Sequence, residues 1–276
     1  MIMQDKKIKA VIFDWAGTTV DFGCVAPVVA IKKIFQEQEI DITKEEIREP
    51  MGLKKIDHIR VLLEKDRIKK AWQDKFGNIP GEKEVNKLYE KLEPMIVNTV
   101  ENYSDPVPEL LETVDKLKNM NIKIGATTGY TAPIMDVLQP IAKEKGYAPD
   151  SAFNSSEVVQ GRPAPWMCFK NAMELNVFPM HNIIKVGDTV ADIKEGIMAG
   201  MWTVGVTHTG NEIGYSYEEY KNTPQDDIDA KNKKATRKLL DAGADFVIEG
   251  IWEFMPVIEE INTKLENNEK PNSYSV

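Results

Sequence analysis

The chain has 276 residues, 42% of them hydrophobic, and a formal net charge of −9 at pH 7. Its length is sufficient for a substantial buried core, and its negative charge argues against nonspecific binding of nucleic acid or attachment to an anionic membrane surface. No window approaches the roughly 18 consecutive apolar residues of a membrane span, and the start of the sequence has no apolar segment of signal length.

Strand-like and helical segments alternate along most of the chain. Helical patterns cover 108–120 and 192–200. The strand-like runs are KAVIFD (9–14), IKIGATT (122–128), IIKVGD (183–188), TVGV (203–206) and DFVIE (245–249). This alternation predicts an α/β fold built on a Rossmann-like, mostly parallel sheet.

The segment from about residue 22 to about residue 103 interrupts this alternation with helical patterns and no clear strand. Thr43 and Glu46 form a capping-box pattern, which indicates the start of a helix. A second helix is predicted from about 52 to 75, and a third from 85 to 100. We therefore predict two domains: an α/β core of residues 1–21 and 104–276, and an inserted all-helical cap of residues 22–103.

The two cysteines indicate the redox environment. Cys24 and Cys168 are far apart and form no CxxC motif, so they predict neither a zinc site nor a disulfide framework. Since the sequence also carries no export signal, we expect a reducing, cytoplasmic environment.

Polar residues suited to phosphate chemistry follow the first two strands. Asp14 ends the first strand, where a carboxylate can be a nucleophile for phosphoryl transfer or simply a turn residue. Two residues later, Ala16 offers a metal only its backbone carbonyl, and the loop 16–19 could present amide groups to an anion. Thr128 ends the second strand, where its hydroxyl could bind phosphate or cap a turn. Ligands of parallel sheets bind at the carboxyl edge, so we expect these residues to lie close together.

A carboxylate pair and an arginine occur later in the chain. Asp188 and Asp192 in VGDTVADIKEG follow a strand and suit a magnesium site in which one carboxylate binds the ion and the other orients it. A strand-end aspartate could instead cap the helix that follows. Arg162 lies between a glycine and a proline, a constrained position that suits a phosphate clamp, although most arginines lie at the surface.

In their order along the chain, the strand–Asp, strand–Thr, basic-residue and strand–GD…D motifs resemble the haloacid dehalogenase superfamily of aspartate-based phosphotransferases. In phosphatases of that superfamily, a second aspartate two residues after the nucleophile protonates the leaving group, and Ala16 stands at that position here. Its loss should impair hydrolysis of an ordinary ester. A carbon leaving group needs an electron sink instead, which a lysine imine supplies.

The cap segment REPMGLKKIDHIRVLL offers two lysines for such an imine. Lys55 shares a predicted helix face with Met51 and Ile59, and apolar surroundings lower the pKa of a lysine. Lys54 has Asp57 one turn later, a polar setting that favours a protonated amine. Lys55 is therefore the better candidate, although helix position alone favours a lysine that lays its stem across an apolar surface.

The motifs DWAGTTVD, PMGLKKIDH, TTGYT, GRPAPWMC and VGDTVADIKEG together are similar to the phosphonoacetaldehyde hydrolase (phosphonatase) family, from about residue 9 to about residue 206. The resemblance implies hydrolysis of the carbon–phosphorus bond of phosphonoacetaldehyde to acetaldehyde and phosphate, in phosphonate degradation, by a homodimer. It implies that Lys55 forms the Schiff base and that Asp14 is the nucleophile. It implies that Mg²⁺ is held by Asp14, the Ala16 carbonyl and Asp188, with Asp192 supporting these ligands. It also implies that the phosphonate is bound by Thr128 and Arg162, and that the residues near the substrate are Met51, His58, Cys24 and Tyr130.

Three alternatives stay open on the sequence. His58 could shuttle protons near Lys55 or be an ordinary polar helix residue. The protein could be a phosphate-ester phosphatase or phosphomutase of the same superfamily, and turnover of monoesters that is unaffected by Lys55→Ala would indicate this. It could also be a noncatalytic magnesium-binding protein, for which magnesium would bind without turnover of any substrate.

Overall fold

The computed structural model describes residues 6–272. Its strands are β1 (Ala10–Phe13), β2 (Lys123–Thr128), β3 (Ser151–Asn154), β4 (Ile183–Gly187), β5 (Trp202–Val206) and β6 (Phe246–Ile248). They form one sheet in the order β3-β2-β1-β4-β5-β6, and every neighbouring pair is parallel. The predicted α/β fold with a parallel sheet is confirmed.

The edge strand β3 is missing from the sequence prediction. Its four residues, SAFN, pair only with β2, and three of them are only partly buried. A short edge strand of this kind carries neither a continuous apolar run nor a clear alternation, so no periodicity marks it. The other strands lie within one or two residues of their predicted bounds.

β1 lies in the middle of the sheet, and its carboxyl end sets the position of the site. All four of its residues are fully buried. Phe13 pairs with Ala126 of β2 and with Val186 of β4. Asp14, the next residue, donates its backbone N–H to the Val186 carbonyl at 2.9 Å. Asp14 is therefore held between the ends of β2 and β4.

Five α-helices lie within residues 22–103, the segment predicted to form the cap. They are α1 (Val25–Gln36), α2 (Lys44–Arg48), α3 (Lys55–Glu64), α4 (Asp66–Phe76) and α5 (Glu82–Thr99). Both α1 and α3 contact α5, and buried apolar residues of the cap belong to the same cluster as β1. The exact domain boundaries stay a prediction, and residues 1–5 and 273–276 of the predicted core lie outside the described residues.

The predicted capping box is confirmed, but the helix predicted over 52–75 is wrong as one continuous element. Thr43 Oγ1 accepts from the Glu46 amide at 3.1 Å, and Glu46 Oε2 accepts from the Thr43 amide at 2.9 Å. The long helix divides at Lys65, whose ψ of 129° is extended. This bend turns α4 so that its apolar residues Ile68 and Trp72 are buried.

The remaining helices flank the sheet. They are α6 (Leu110–Asn119), α7 (Ala132–Glu144), α8 (Trp166–Glu174), α9 (Val190–Ala199), α10 (Tyr217–Asn222), α11 (Gln225–Asp241) and α12 (Phe254–Glu266). Across residues 6–272, none of the helices combines the length and the apolarity needed to cross a bilayer. α9 follows directly on β4 and carries part of the site.

Candidate active site

A small cavity lies between the cap and the carboxyl edge of the sheet. The sequence-predicted residues that line it include Asp14, Ala16, Thr128 and Arg162 from the core and Met51 and Lys55 from the cap. Its volume is about 20 Å³, which accommodates about one water molecule. An organic phosphate or phosphonate is larger than this, so the cavity must widen for such a molecule to enter.

Three carboxylates converge beside this cavity. Asp14, Asp188 and Asp192 are buried, and one oxygen of each lies within 4.8 Å of one oxygen of the others. Asp188 accepts from Thr18 Oγ1 at 3.2 Å and from the Asn211 amide at 2.7 Å. Burial and then the charge of the neighbouring carboxylates raise the pKa of Asp14 to about 6 and the pKa of Asp188 well above its usual range. A bound cation would relieve this repulsion.

Arg162 is the central cation of the site. Its Nη2 lies 2.7 Å from Asp14 Oδ1, its Nη1 2.9 Å from Asp192 Oδ1 and its Nε 2.9 Å from Glu195 Oε2. Nη2 also donates to Thr127 Oγ1 at 2.7 Å. The side chain is only 1% exposed, so this arginine does not have the surface position that most arginines have. It holds the Asp14 carboxylate from the core side.

Asp192 is engaged by protein groups through both oxygens. Its Oδ1 pairs with Arg162 and lies 2.7 Å from Nζ of the fully buried Lys185, and its Oδ2 accepts from Thr189 Oγ1 at 2.5 Å. Burial would raise the pKa of Asp192, but the charges of Arg162 and Lys185 outweigh burial and lower it. These contacts fit a residue that supports a metal site better than one that ligates the metal.

The residues present fit a divalent cation. Among the described residues of the core, Asp14, Asp188, Asp192 and Glu195 are buried beside two cations, Arg162 and Lys185. A divalent ion would balance these charges, and carboxylate and carbonyl oxygens are the ligands that Mg²⁺ prefers. Within residues 6–272 no hydrogen-bond donor reaches the Ala16 carbonyl, which leaves its lone pairs available.

Lys55 is the first residue of α3 and enters the cavity from the cap. It is 3% exposed, and its Nζ lies 3.9 Å from Met51 Sδ and 5.2 Å from the centre of the Tyr130 ring. Burial lowers the pKa of Lys55 below its usual range, although nearby Cys24 and Asp14 oppose the change. Its amine is therefore more readily neutral, and thus nucleophilic, than that of a solvated lysine.

His58 lies behind Lys55 on the same helix. Its Nε2 donates to the Ile47 carbonyl at 2.8 Å, and its Nδ1 has no partner within the described part of the chain. Burial and then the charge of Lys55 lower the pKa of His58 to about 3, so the ring is neutral. His58 is not among the described residues that line the cavity, whereas Cys24 and Tyr130 are.

Thr128 caps a turn, as one of its two predicted roles requires, and it also lies at the cavity. Its hydroxyl accepts from the Tyr130 amide at 3.1 Å, which caps the turn after β2, and the residue also lines the cavity. In the loop after β1, Thr19 Oγ1 donates to the Asp14 carbonyl at 3.0 Å and so fixes the backbone at the strand end. The carboxyl ends of β1, β2 and β4 thus meet at one site, as the sequence predicts.

Comparison with known proteins agrees with this arrangement. The family model of haloacid dehalogenase-like hydrolases matches residues 8–200. A phosphonoacetaldehyde hydrolase from Syntrophobacter fumaroxidans is 44% identical over 264 residues, which cover 96% of this chain and 95% of that protein. The chain belongs to the phosphonoacetaldehyde hydrolase family. The family and the enzyme class expected from the motifs are confirmed.

Of two further relatives, one is much longer than this chain and the other matches it over nearly its whole length. A bifunctional phosphonoacetaldehyde hydrolase/aminoethylphosphonate transaminase from Clostridioides difficile is 51% identical over 95% of this chain, and the chain spans 41% of that protein. The crystal structure of a phosphonoacetaldehyde hydrolase-like protein from Oleispira antarctica is 39% identical, matches with a TM-score of 0.95 and covers 98% of both chains. The phosphonoacetaldehyde hydrolase fold therefore extends over nearly all of this chain.

Sequence reasoning missed several residues of the site. Lys185 interrupts the apolar strand IIKVG, and a fully buried lysine needs anionic partners, so its position was a usable signal. Glu195 follows Asp192 by one helical turn, which places both on one face of α9. Asn211 lies in a loop after β5 that no motif marks. Its amide binds Asp188, and its side chain exchanges hydrogen bonds with Arg48 of the cap.

Proposed function

We propose that this protein hydrolyses the carbon–phosphorus bond of phosphonoacetaldehyde to acetaldehyde and phosphate through a Lys55 Schiff base and an aspartyl-phosphate. The observation that carries the proposal is that Asp14 and the buried amine of Lys55 line one cavity, beside Ala16. Ala16 has no side chain that could protonate an ester leaving group. The names of the relatives agree with this substrate.

In the first step, the Lys55 amine attacks the aldehyde carbon of the substrate, and loss of water gives an iminium ion. The apolar contacts of Nζ with Met51 and Tyr130 favour the neutral amine that this attack requires. The iminium nitrogen then lies two bonds from the carbon that carries phosphorus. It can therefore accept the electron pair of the carbon–phosphorus bond.

In the second step, a carboxylate oxygen of Asp14 forms a bond to phosphorus as the carbon–phosphorus bond breaks. The electron pair of that bond moves into the iminium to give an enamine, and Asp14 becomes an acyl phosphate. Protonation of the enamine carbon regenerates an imine. Water hydrolyses the acyl phosphate to free Asp14 and phosphate, and a second water releases acetaldehyde from Lys55.

The substrate is a phosphonate anion, and the nucleophile is also an anion. Asp14, the Ala16 carbonyl and Asp188 would hold Mg²⁺, which when bound neutralises the phosphonate so that a carboxylate can approach phosphorus. Asp192 would steady these ligands. Thr128 and Arg162 would donate hydrogen bonds to the phosphonate oxygens: the Thr128 hydroxyl from the end of β2 and the Arg162 guanidinium from its place beside Asp14.

The cap supplies the remaining groups. Met51 would contact the two-carbon chain, since its sulfur already packs against Lys55 Nζ. His58, whose ring stays neutral, would lie behind Lys55 as a polar helix residue rather than contact the substrate directly. Closure of the cap would exclude water until the products leave. We also propose a cytoplasmic homodimer, in keeping with the two free, buried cysteines and with the family resemblance.

Borohydride trapping tests the proposal. The protein is incubated with phosphonoacetaldehyde and Mg²⁺, reduced, digested and analysed by mass spectrometry. A two-carbon adduct on Lys55, with parallel loss of activity, is the expected result. An adduct on Lys54 would keep the mechanism and change the residue. Phosphate release without any adduct would contradict the Schiff base and indicate a conventional phosphatase.

A further inference from the structure

We propose that Glu195 is a positioning residue for phosphoryl transfer: it fixes the guanidinium of Arg162 beside Asp14 by accepting a hydrogen bond from Arg162 Nε. The inference rests on the function proposed above and concerns its second step. Glu195 is not among the described residues that line the cavity. It lies within the motif VGDTVADIKEG, but no role was predicted for it from the sequence. Its role follows from the contacts beneath the site.

The carboxylate of Glu195 is fully buried and accepts hydrogen bonds from two side chains of the site. Its Oε2 lies 2.9 Å from Arg162 Nε and 3.1 Å from Thr127 Oγ1. Thr127 in turn accepts from Arg162 Nη2 at 2.7 Å. These three side chains form a closed triangle of hydrogen bonds. Because a guanidinium is planar, contacts at Nε and at Nη2 define both its position and its plane.

Glu195 acts together with Asp192, one turn earlier on α9. Asp192 Oδ1 lies 2.9 Å from Arg162 Nη1, while Glu195 binds Nε. Two carboxylates on one helix face therefore bind two of the three guanidinium nitrogens, and the third, Nη2, faces Asp14. Lys185 Nζ lies between the two carboxylates, at 2.7 Å from Asp192 and 3.8 Å from Glu195.

This arrangement has a consequence for the reaction. When phosphorus bonds to Asp14, the phosphoryl oxygens come to lie beside the Nη2 edge of Arg162, where charge develops in the transition state. Without Glu195, Nε loses its acceptor, and the long arginine side chain can rotate away from this position. Attack at phosphorus should then slow, whereas imine formation at Lys55, on the cap side of the cavity, should not.

Two uncharged variants of similar size isolate this role. Glu195→Gln keeps an oxygen acceptor for Nε, and Glu195→Met fills the same space without one. Both remove the same charge, so any effect of charge on metal binding is common to them. We expect phosphate release by Glu195→Met to have a kcat about 10- to 100-fold below that of Glu195→Gln. Both variants should give at least the wild-type yield of borohydride-trapped Lys55 adduct.

Equal kcat values for the two variants would overturn the proposal. An adduct yield that falls in parallel with phosphate release would also overturn it, since the substitution would then impair both steps of the reaction and not phosphoryl transfer alone. If Glu195→Met does not fold, Glu195→Asp serves instead: it keeps the charge but withdraws the carboxylate, and it should be slower than Glu195→Gln. Glu259→Met on the exposed face of α12 is the control. Failure of the proposed function is distinct, because the wild type would then trap no adduct.

Discussion

Arg162 and Asp14 form a buried ion pair in which Nη2 lies 2.7 Å from Oδ1. The two side chains are 1% and 8% exposed, so water screens the pair little. Arg162 opposes the rise in the pKa of Asp14 that burial causes. The carboxylate is thereby kept closer to its ionised form, which a nucleophile at phosphorus requires.

Replacing this carboxylate separates the two halves of the proposed reaction. Asp14→Asn removes the nucleophile but leaves the Lys55 amine unchanged. We expect borohydride still to trap an adduct on Lys55, now with the phosphonate group attached because the carbon–phosphorus bond is intact, while phosphate release falls by at least about a thousandfold. A phosphate assay and mass spectrometry of the same sample measure both. Full phosphate release by this variant would exclude Asp14 as the nucleophile.

The two adjacent cap lysines provide a matched pair of variants. Lys55 is buried at the cavity, whereas Lys54 is partly exposed and lies just before α3. We expect Lys55→Ala to lower kcat for phosphonoacetaldehyde by at least about a thousandfold, because no enamine can form. Lys54→Ala should stay within about threefold of the wild type. The reverse order would assign the imine to Lys54. Turnover of phosphate monoesters by Lys55→Ala would support the phosphatase alternative.

Metal binding should depend on pH in a defined direction. Burial and neighbouring carboxylates raise the pKa of Asp14 to about 6 and that of Asp188 well above its usual range. The folded protein therefore keeps protons that the unfolded chain releases near pH 4. Without metal, the contribution of these two groups to the stability of the folded protein therefore falls as the pH rises from about 4 through their pKa values in the folded state. Mg²⁺ must displace the same protons, so its stabilising effect should grow with pH.

Thermal unfolding with Mg²⁺ and with chelator measures this effect. We expect Mg²⁺ to raise Tm by about 2–4 °C more at pH 7.5 than at pH 5.5, which corresponds to roughly one unit of pKa change. In Asp188→Asn the stabilisation by Mg²⁺ should be largely lost at both pH values. An equal Tm shift at the two pH values in the wild type would contradict the assignment of Asp14 and Asp188 as ligands.

Cap closure can be tested at Gly129, which meets the cap backbone. A Cβ at this position would lie 2.7 Å from the Leu53 carbonyl oxygen and 2.8 Å from that of Gly52, both of which belong to the cap. Gly129→Ala should therefore hold the cap away from the core and lower kcat/KM by about tenfold or more. The control is Gly81→Ala, where a Cβ meets only Glu84 Oε2 at 3.8 Å.

Steady-state kinetics and thermal unfolding of these two alanine variants distinguish closure from folding. We expect Tm of Gly129→Ala to stay close to that of the wild type, because the obstructing atoms belong to the cap and can move away. Wild-type kcat/KM in Gly129→Ala would show that activity does not require this close approach of cap and core.

The sequence alone was sufficient to predict the parallel α/β core, the helical segment after β1 and the strand-end residues that the structure brings close together. Asp14, Thr128 and Asp188 each lie at the carboxyl end of a strand, and the carboxyl ends of neighbouring parallel strands lie at the same edge of a sheet. Local signals also identified the capping box at Thr43. Lys55 was predicted from the family motif and from its apolar helix face, and its burial in the structure agrees with that prediction.

Only the tertiary structure determined which carboxylates pair with the buried cationic side chains of the site. The pairing of Arg162 with Asp14, Asp192 and Glu195 joins residues up to 181 positions distant from each other along the chain (14 to 195), and no local pattern encodes such contacts. The bend at Lys65 and the edge strand β3 were missed for a related reason: packing against neighbouring elements, rather than periodicity, decides where they begin and end. The sequence thus determines which side chains reach the site, and long-range packing decides which of them form ion pairs and hydrogen bonds with each other.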